Sequence, residues 1–319
     1  MKQSIRVGLA QIHPVWLNRQ ATIEKVGAYV QKAAAAGCDL VTFGEALVPG
    51  YPFWLSITDG ARFNDPVQKA IHAHYLDQAV RIEKGDLDPI CQLAKAHAIA
   101  VILGTIELGQ NRGNHSVYCT LVYIDRQGVI QTTHRKLMPT YEERLTWSPG
   151  DGHGLRTHPL EAFTVGALNC WENWMPLPRA ALYGMGEDLH VAIWPGGYHN
   201  THDLTKFIAK ESRSYVISVS GLFHARDIDP SLPHADRMMA GADGWLANGG
   251  SCISNPRGEW VIEPLIEKEE LLVADLDHQL VREERQNFDP SGHYSRPDVT
   301  QLSVNRQRQS VLRIDDGPK

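Results

Sequence analysis

Residues 163–186 read FTVGALNCWENWMPLPRAALYGMG. The apolar run at 163–168 stops abruptly at Asn169-Cys170. A polar break, Trp171-Glu172-Asn173, follows, and Pro176 and Pro178 precede the helix-like RAALYGMG. This is the pattern of a buried strand, a tight turn carrying a cysteine, and a helix whose first turn tolerates proline. A thiol on such a turn is expected to project from the sheet and face the positive end of a helix dipole. Both effects favour the thiolate. The ordinary alternative is a buried cysteine packing as a small hydrophobe, and residues elsewhere in the chain weigh against it.

On either side of this stretch, strands and helices alternate. Ile5, Val7 and Leu9 mark a first strand, and TIEKVGAYVQKAAAAG a helix with Thr22 as N-cap and Gly37 past its end. CDLVTFGE reads as a strand ending at Glu45, residues 66–80 and DPICQLAKAHA as helices, and IAVILGTIEL as a strand. Residues 116–136 form two strands joined by a turn at Asp125-Arg126-Gln127-Gly128. LHVAIWP, a helix near DLTKFIAKESR, YVISVSGLF, a hairpin turning at residues 255–258, and ELLVADLD complete the series. About a dozen strands with only a few helices are too many strands for a doubly wound fold, and two packed sheets flanked by helices suit them better. Two stretches break the rhythm: residues 51–65, aromatic and turn-rich, and residues 227–250, rich in Asp, Gly and Pro. Long excursions of this kind are usually functional or interface-forming.

The 319 residues contain no Ser/Gly/Pro-rich linker, so a single domain over residues 1–280 is expected, followed by a charged, interface-forming tail at 281–319. A net charge of -6 with scattered cations gives no footprint for nucleic acid. No apolar run approaches ~18 residues and no signal-peptide core is visible, so no membrane association is expected. Five cysteines with wide, irregular spacing and no CxxC pair point away from disulfides and structural zinc and towards a reducing cytoplasm.

Three strand-like segments end in a chemically capable residue: Glu45, Lys136 and Cys170. Reactive groups gather beyond the carboxyl ends of strands in α/β sheets. A carboxylate, an ammonium and a thiol gathered there could form one nucleophile, base and electrostatic group. Spacing alone leaves the bland readings open: Glu45 as a solvated strand end, Lys136 as half of a surface pair with Arg135, Glu143 as an ordinary helix-turn acid. His199 and His202, and His72 and His74, lack companions at metal spacing and read as surface or loop histidines. Tyr51, which opens the first excursion, and Trp54, Trp147, Trp171 and Trp194 could line an apolar pocket or pack as ordinary core.

The segments VGLAQIHPVW, FGEALVPGYPFW, HRKLMPTYEER, NCWENWMPL, AIWPGG and GHYSRPDV run nearly end to end, and through them the chain resembles the nitrilases. These are the nitrile-hydrolysing branch of the carbon–nitrogen hydrolase superfamily. The resemblance implies an α/β fold, a four-layer α-β-β-α sandwich of two mixed sheets. It places the catalytic Glu on Glu45, the Lys on Lys136, the Cys on Cys170 and a further acid on Glu143. It implies no metal or organic cofactor, a small-molecule nitrile as substrate, and homodimers that stack further into spirals. One departure is a short tail ending at Lys319, which bears on assembly through that tail. The expected reaction converts a nitrile to the acid and ammonia through a Cys170 thioimidate and thioester. The rivals are an amidase or carbamoylase using the same triad, and a non-catalytic assembly protein on the same fold. A papain-like protease is disfavoured because no histidine is placed as the motif partner of Cys170.

Overall fold

A computed structural model describes residues 2–109 and 113–312, so residues 313–319 of the expected tail lie outside the described residues. The chain begins β1 (Ser4–Gln11), α1 (Arg19–Ala35), β2 (Leu40–Phe43), α2 (Trp54–Ile57), α3 (Pro66–Gln78) and α4 (Asp88–His97). It continues β3 (Ala100–Leu108), β4 (Val117–Ile124), β5 (Ile130–Arg135), β6 (His158–Leu160), β7 (Phe163–Asn169) and α5 (Pro176–Gly184). Then come β8 (Leu189–Trp194), α6 (Tyr198–Ser212), β9 (Tyr215–Ser220), β10 (Leu222–His224) and α7 (Ala235–Gly241). The last elements are β11 (Trp245–Ser254), β12 (Trp260–Ile266), β13 (Glu270–Asp277) and α8 (His278–Arg285).

One sheet has the order β13-β1-β2-β3-β4-β5, and the other β10-β11-β9-β8-β7-β6 with β12 pairing β11. Both are mixed. β1, β2 and β3 are parallel neighbours in the first, as are β7, β8 and β9 in the second, and antiparallel strands flank them. Period-two alternation explains how the sheets pack. Ile5, Val7 and Leu9 of β1 face Val165, Val191, Ile193, Ile217 and Val219 of the second sheet in one buried core. Ala10, Val41, Phe43, Val101 and Leu103 face outward and meet α1 and α4 through Ile23, Val26, Val30, Ile90 and Ala94. On the far side Ala192, Trp194 and Val216 pack under Leu204, Ile208 and Ala209 of α6. The result is the expected four-layer α-β-β-α sandwich.

Three local readings are corrected. The N-cap of α1 is Asn18, whose Oδ1 accepts the Ala21 N–H at 3.1 Å. Thr22 lies inside the first turn and donates its hydroxyl to Val15 O. The polar start Arg19-Gln20 carries no apolar period, which hid that turn from the sequence. α3 stops at Gln78, and Val80 instead donates to Ile106 O at the edge of β3. The strand β6 and the helices α2, α7 and α8 add to the sequence count, and α8 buries only Val281.

The two excursions pack on each other. Phe53, Trp54 and Leu55 share an apolar cluster with Ile228, Ala235 and Met238, and Arg237 donates to Thr58 O. Beyond α8 the tail returns to the body. Arg308 donates to Asp151 and to Thr133 O, and Gln309 N to Asp151. All five cysteines are free thiols. Among the described residues no helix is long and apolar enough to cross a membrane.

Candidate active site

Two antiparallel steps, β3 to β4 and β4 to β5, restore the direction of the chain, so β5 ends at the same edge of its sheet as β2. Glu45 follows β2, Lys136 follows β5, and Cys170 follows β7 of the facing sheet. Glu45 N donates to Trp194 O at 3.0 Å, tying the end of the first sheet to the end of β8. This turn lies hard against β3. A Cβ on Gly104 would sit 2.6 Å from Glu45 Cα, so the position requires glycine.

The four side chains converge and are almost fully buried: Glu45 2 %, Lys136 1 %, Glu143 1 % and Cys170 4 % exposed. Ligand atoms of Glu45, Glu143 and Cys170 all lie within 4.8 Å of one another. The cation that the two carboxylates share is the Lys136 ammonium. It donates to Glu143 Oε2 at 2.8 Å and Oε1 at 3.0 Å, and stands 2.9 Å from Glu45 Oε1. Trp147 lies beneath it, with the ring centroid 5.4 Å from Nζ. Glu143 also accepts from Thr140 N at 2.6 Å and from the Tyr51 hydroxyl at 3.0 Å.

Burial pushes the Glu45 carboxyl up to about 7. Lys136 opposes the rise and Glu143 adds to it. Burial also pushes the Cys170 thiol well above its ordinary value. Glu45 and Glu143 reinforce that shift, while Lys136 and the Trp171 N–H oppose it. Lys136 is held well above its usual range: burial works against the charge, but the Cys170 sulfur when ionised, Glu45 and Glu143 outweigh it. The resting site therefore favours a neutral thiol, contrary to the thiolate expected from the helix dipole. The helix dipole is remote and the sulfur is buried. Cys170–Trp174 is a short 3-10 turn, α5 begins only at Pro176, and desolvation dominates. Cys170 itself has φ 43°, a left-handed conformation that costs a non-glycine residue of the order of 1–3 kcal/mol. Asn173 holds this strained turn by donating to Cys170 O at 2.7 Å, and His190 fixes Asn173 from behind, Nε2 to Oδ1, at 2.7 Å.

A cavity of about 400 Å³ opens onto Cys170 and Glu143, lined among others by Tyr51, Phe53, Trp171, His199, Asn200 and Leu246. Of the five aromatic residues singled out in the sequence, Tyr51 and Trp171 line it. Trp171 is half-exposed at its mouth, with Nε1 donating to Asn200 Oδ1 at 3.3 Å. Trp147 and Trp194 stand behind the cluster, the first under Lys136 and the second carrying the carbonyl that holds Glu45. Trp54 packs edge-on to Tyr75 in the apolar core, away from this lining. His199 enters the lining while His202 turns to Asp203. His72 bonds Thr146, and His74 bonds Leu17 O.

Sequence reasoning gave no pocket role to Phe53, Asn200 or Leu246 and read His199 as a surface or loop histidine; Phe53 and Leu246 do lie in the two excursions that the sequence marks out. It also singled out no role for Glu172, whose carboxylate accepts the Leu137 and Asn169 N–H groups at 2.6 and 2.8 Å. There a signal does exist, since Asn169-x-x-Glu172 and Thr140-x-x-Glu143 both fit the capping-box pattern and both boxes form.

The carbon-nitrogen hydrolase family model matches residues 6–286. The chain is 35% identical over 314 residues to a protein named Nitrilase 2 from an unknown prokaryotic organism, covering 98% of this chain and 96% of that one. The chain belongs to the nitrilase branch of the carbon–nitrogen hydrolase family. An aliphatic nitrilase of Sinorhizobium fredii is 34% identical over 313 residues, covering 96% of this chain and 97% of that one. The solved carbon–nitrogen hydrolase of Helicobacter pylori G27 shares the fold, with a TM-score of 0.69 at 18% identity, covering 92% of this chain and 96% of that chain. Membership in this branch agrees with the sandwich and with the convergence of an acid, a lysine and a cysteine where the ends of the two sheets face each other.

Proposed function

We propose that this protein hydrolyses an organic nitrile, with two waters, to the carboxylic acid and ammonia, and that Glu45, Lys136, Cys170 and Glu143 carry the reaction. The observation that supports this reading best is the division between two buried carboxylates. Glu143 takes the hydrogen bonds of the ammonium, while Glu45 is left with a carboxyl poised near 7, suited to both accepting and returning a proton.

Cys170 Sγ attacks the nitrile carbon as its proton passes to Glu45, so the thiolate forms only as the carbon–sulfur bond does. Charge developing on the nitrile nitrogen faces Lys136, a preformed donor in a site with little water. Glu45 returns the proton to nitrogen, giving the thioimidate. Water, deprotonated by Glu45, adds to the same carbon, and the nitrogen leaves as ammonia once protonated. The thioester that remains is hydrolysed by a second water, which releases the acid and restores the thiol. Tyr51 and Trp171 would contact the organic group in the cavity. Trp147 and Trp194 would act through Lys136 and Glu45, and Trp54 through core packing alone.

Ammonia release over aliphatic, aromatic and arylacetonitrile panels, paired with the corresponding amides, tests the reading. Nitriles are expected to be the better substrates; turnover confined to amides would make the protein an amidase on the same triad. Cys170→Ala should abolish turnover, whereas Cys38, Cys91, Cys119 and Cys252 to Ala should not. Rapid-quench mass spectrometry should find the adduct on Cys170.

A further inference from the structure

Lys136 and Cys170 belong to different sheets, so their separation depends on how the end of β5 is held against the end of β7. Glu172 is fully buried and touches both ends. One carboxylate oxygen accepts the Leu137 N–H at 2.6 Å, one residue past Lys136. The other accepts the Asn169 N–H at 2.8 Å, one residue before Cys170. His134 Nε2 approaches the same two oxygens at 3.1 and 3.0 Å from within β5. We infer that Glu172 is a positioning residue that fixes the spacing of Lys136 and Cys170 across the two sheets, with His134 holding it in place.

The chemistry of the pair fits that task. Burial pushes the Glu172 carboxyl up, but His134 and the two backbone N–H groups together outweigh it and hold the group below its usual range, as a carboxylate. A carboxylate is acceptor-only, and it is the side chain best able to receive two backbone donors from different strands at once. The lysine is thereby fixed at both ends. Glu143 holds its ammonium, while Glu172 holds the next backbone amide, beside the Lys136 N–H to Cys119 O bond at 2.8 Å. Both acids sit at the third position of a capping box, so one local device supplies both restraints.

This role rests on the proposed reaction, and the test separates the two. Glu172→Gln keeps the length of the side chain but turns an NH₂ towards at least one of the two backbone donors. With saturating nitrile, adduct formation on Cys170 and kcat should both fall about 100-fold, the scale of a 1 Å misplacement. KM should move by no more than about threefold, because binding of the organic group is untouched. His134→Gln leaves both backbone bonds to Glu172 and should cost about tenfold, the lower end for loss of a supporting partner. Alkylation of Cys170 by iodoacetamide needs no nitrile chemistry. It should slow about tenfold in Glu172→Gln, because a retreating Lys136 no longer favours the thiolate. Slowed alkylation in a chain whose wild type turns over no nitrile supports the clamp and rejects the functional reading. A folded Glu172→Gln protein with wild-type adduct formation and alkylation overturns the clamp. So does an unfolded Glu172→Gln protein beside a His134→Gln protein of wild-type rate.

Discussion

Lys136 Nζ lies 2.9 Å from Glu45 Oε1 but approaches off the direction of a well-aligned hydrogen bond, and the remaining nearby donor of Glu45 is the weak thiol of Cys119. The ammonium spends its directed bonds on Glu143. Two chemically identical carboxylates on one lysine thus differ in what they can do. Glu143 has a lysine, a tyrosine and a backbone amide on its oxygens, whereas Glu45 has only the off-axis ammonium and the weak Cys119 thiol beside it. Such a group gains most from taking up a proton.

The pH dependence follows from Glu45. As the base proposed for the first step it would have to be ionised, so kcat/KM should rise with pH to a plateau, with an apparent pKa close to the value of about 7 to which burial raises it. The stability effect has the opposite sign. The folded state holds this proton more tightly than the unfolded chain, whose ordinary value is 4.5. The stability it contributes is fully present below that value and is lost as pH rises through about 7. Glu45→Gln should therefore abolish turnover while stabilising the fold at pH 8 by about 0.5–2 kcal/mol, the range of single stabilising substitutions. Calorimetry showing a lower melting temperature for Glu45→Gln at pH 8 would contradict this.

Lys136→Arg tests whether a compact ammonium is required. The pocket around Lys136 leaves it 1 % exposed between two carboxylates and the face of Trp147. A planar guanidinium is larger and points its donors in a fixed fork. The variant should lose at least ~100-fold in kcat, the scale of one oxyanion-type donor. Steady-state rates within a few-fold of wild type would reduce Lys136 to a structural cation.

Glu143→Gln should shift the products. After water adds to the thioimidate, the tetrahedral carbon can expel ammonia, giving thioester and then acid, or the Cys170 thiol, giving amide. Thiolate is intrinsically the better leaving group, so the acid route needs the nitrogen to be protonated. Lys136 charge-balanced by Glu143 discourages that second positive charge less than an unpaired lysine would. Chromatography of the products from an unhindered nitrile should show mainly acid for wild type and a larger amide fraction for Glu143→Gln. An unchanged ratio would remove Glu143 from this step.

A homodimer or larger assembly is expected. The two excursions share one apolar cluster, but Phe63 in the first stays 97% exposed, Met239 in the second is exposed too, and so are Val299 and Leu302 of the tail. Light scattering at micromolar concentration should give at least twice the chain mass. A particle of 35.6 kDa would refute assembly.

The sequence by itself determined the strands and singled out the candidate reacting groups. Period-two apolar runs such as Ile5, Val7 and Leu9 identify strands because one face of each must be buried. Glu45, Lys136 and Cys170 stand out because each ends such a run. Only the tertiary structure decided how the groups behave. The sharing of Lys136 between Glu143 and Glu45, the raised thiol of Cys170 and the cavity lined by Phe53, His199 and Leu246 all depend on contacts between segments far apart in the chain. The sequence pattern was equally consistent with Trp54 lining a pocket and with Trp54 in the core, because an aromatic residue in an excursion has no period to give its direction. The helix dipole promised a thiolate at Cys170, but desolvation acts through everything packed around the sulfur, and no local stretch of residues records it.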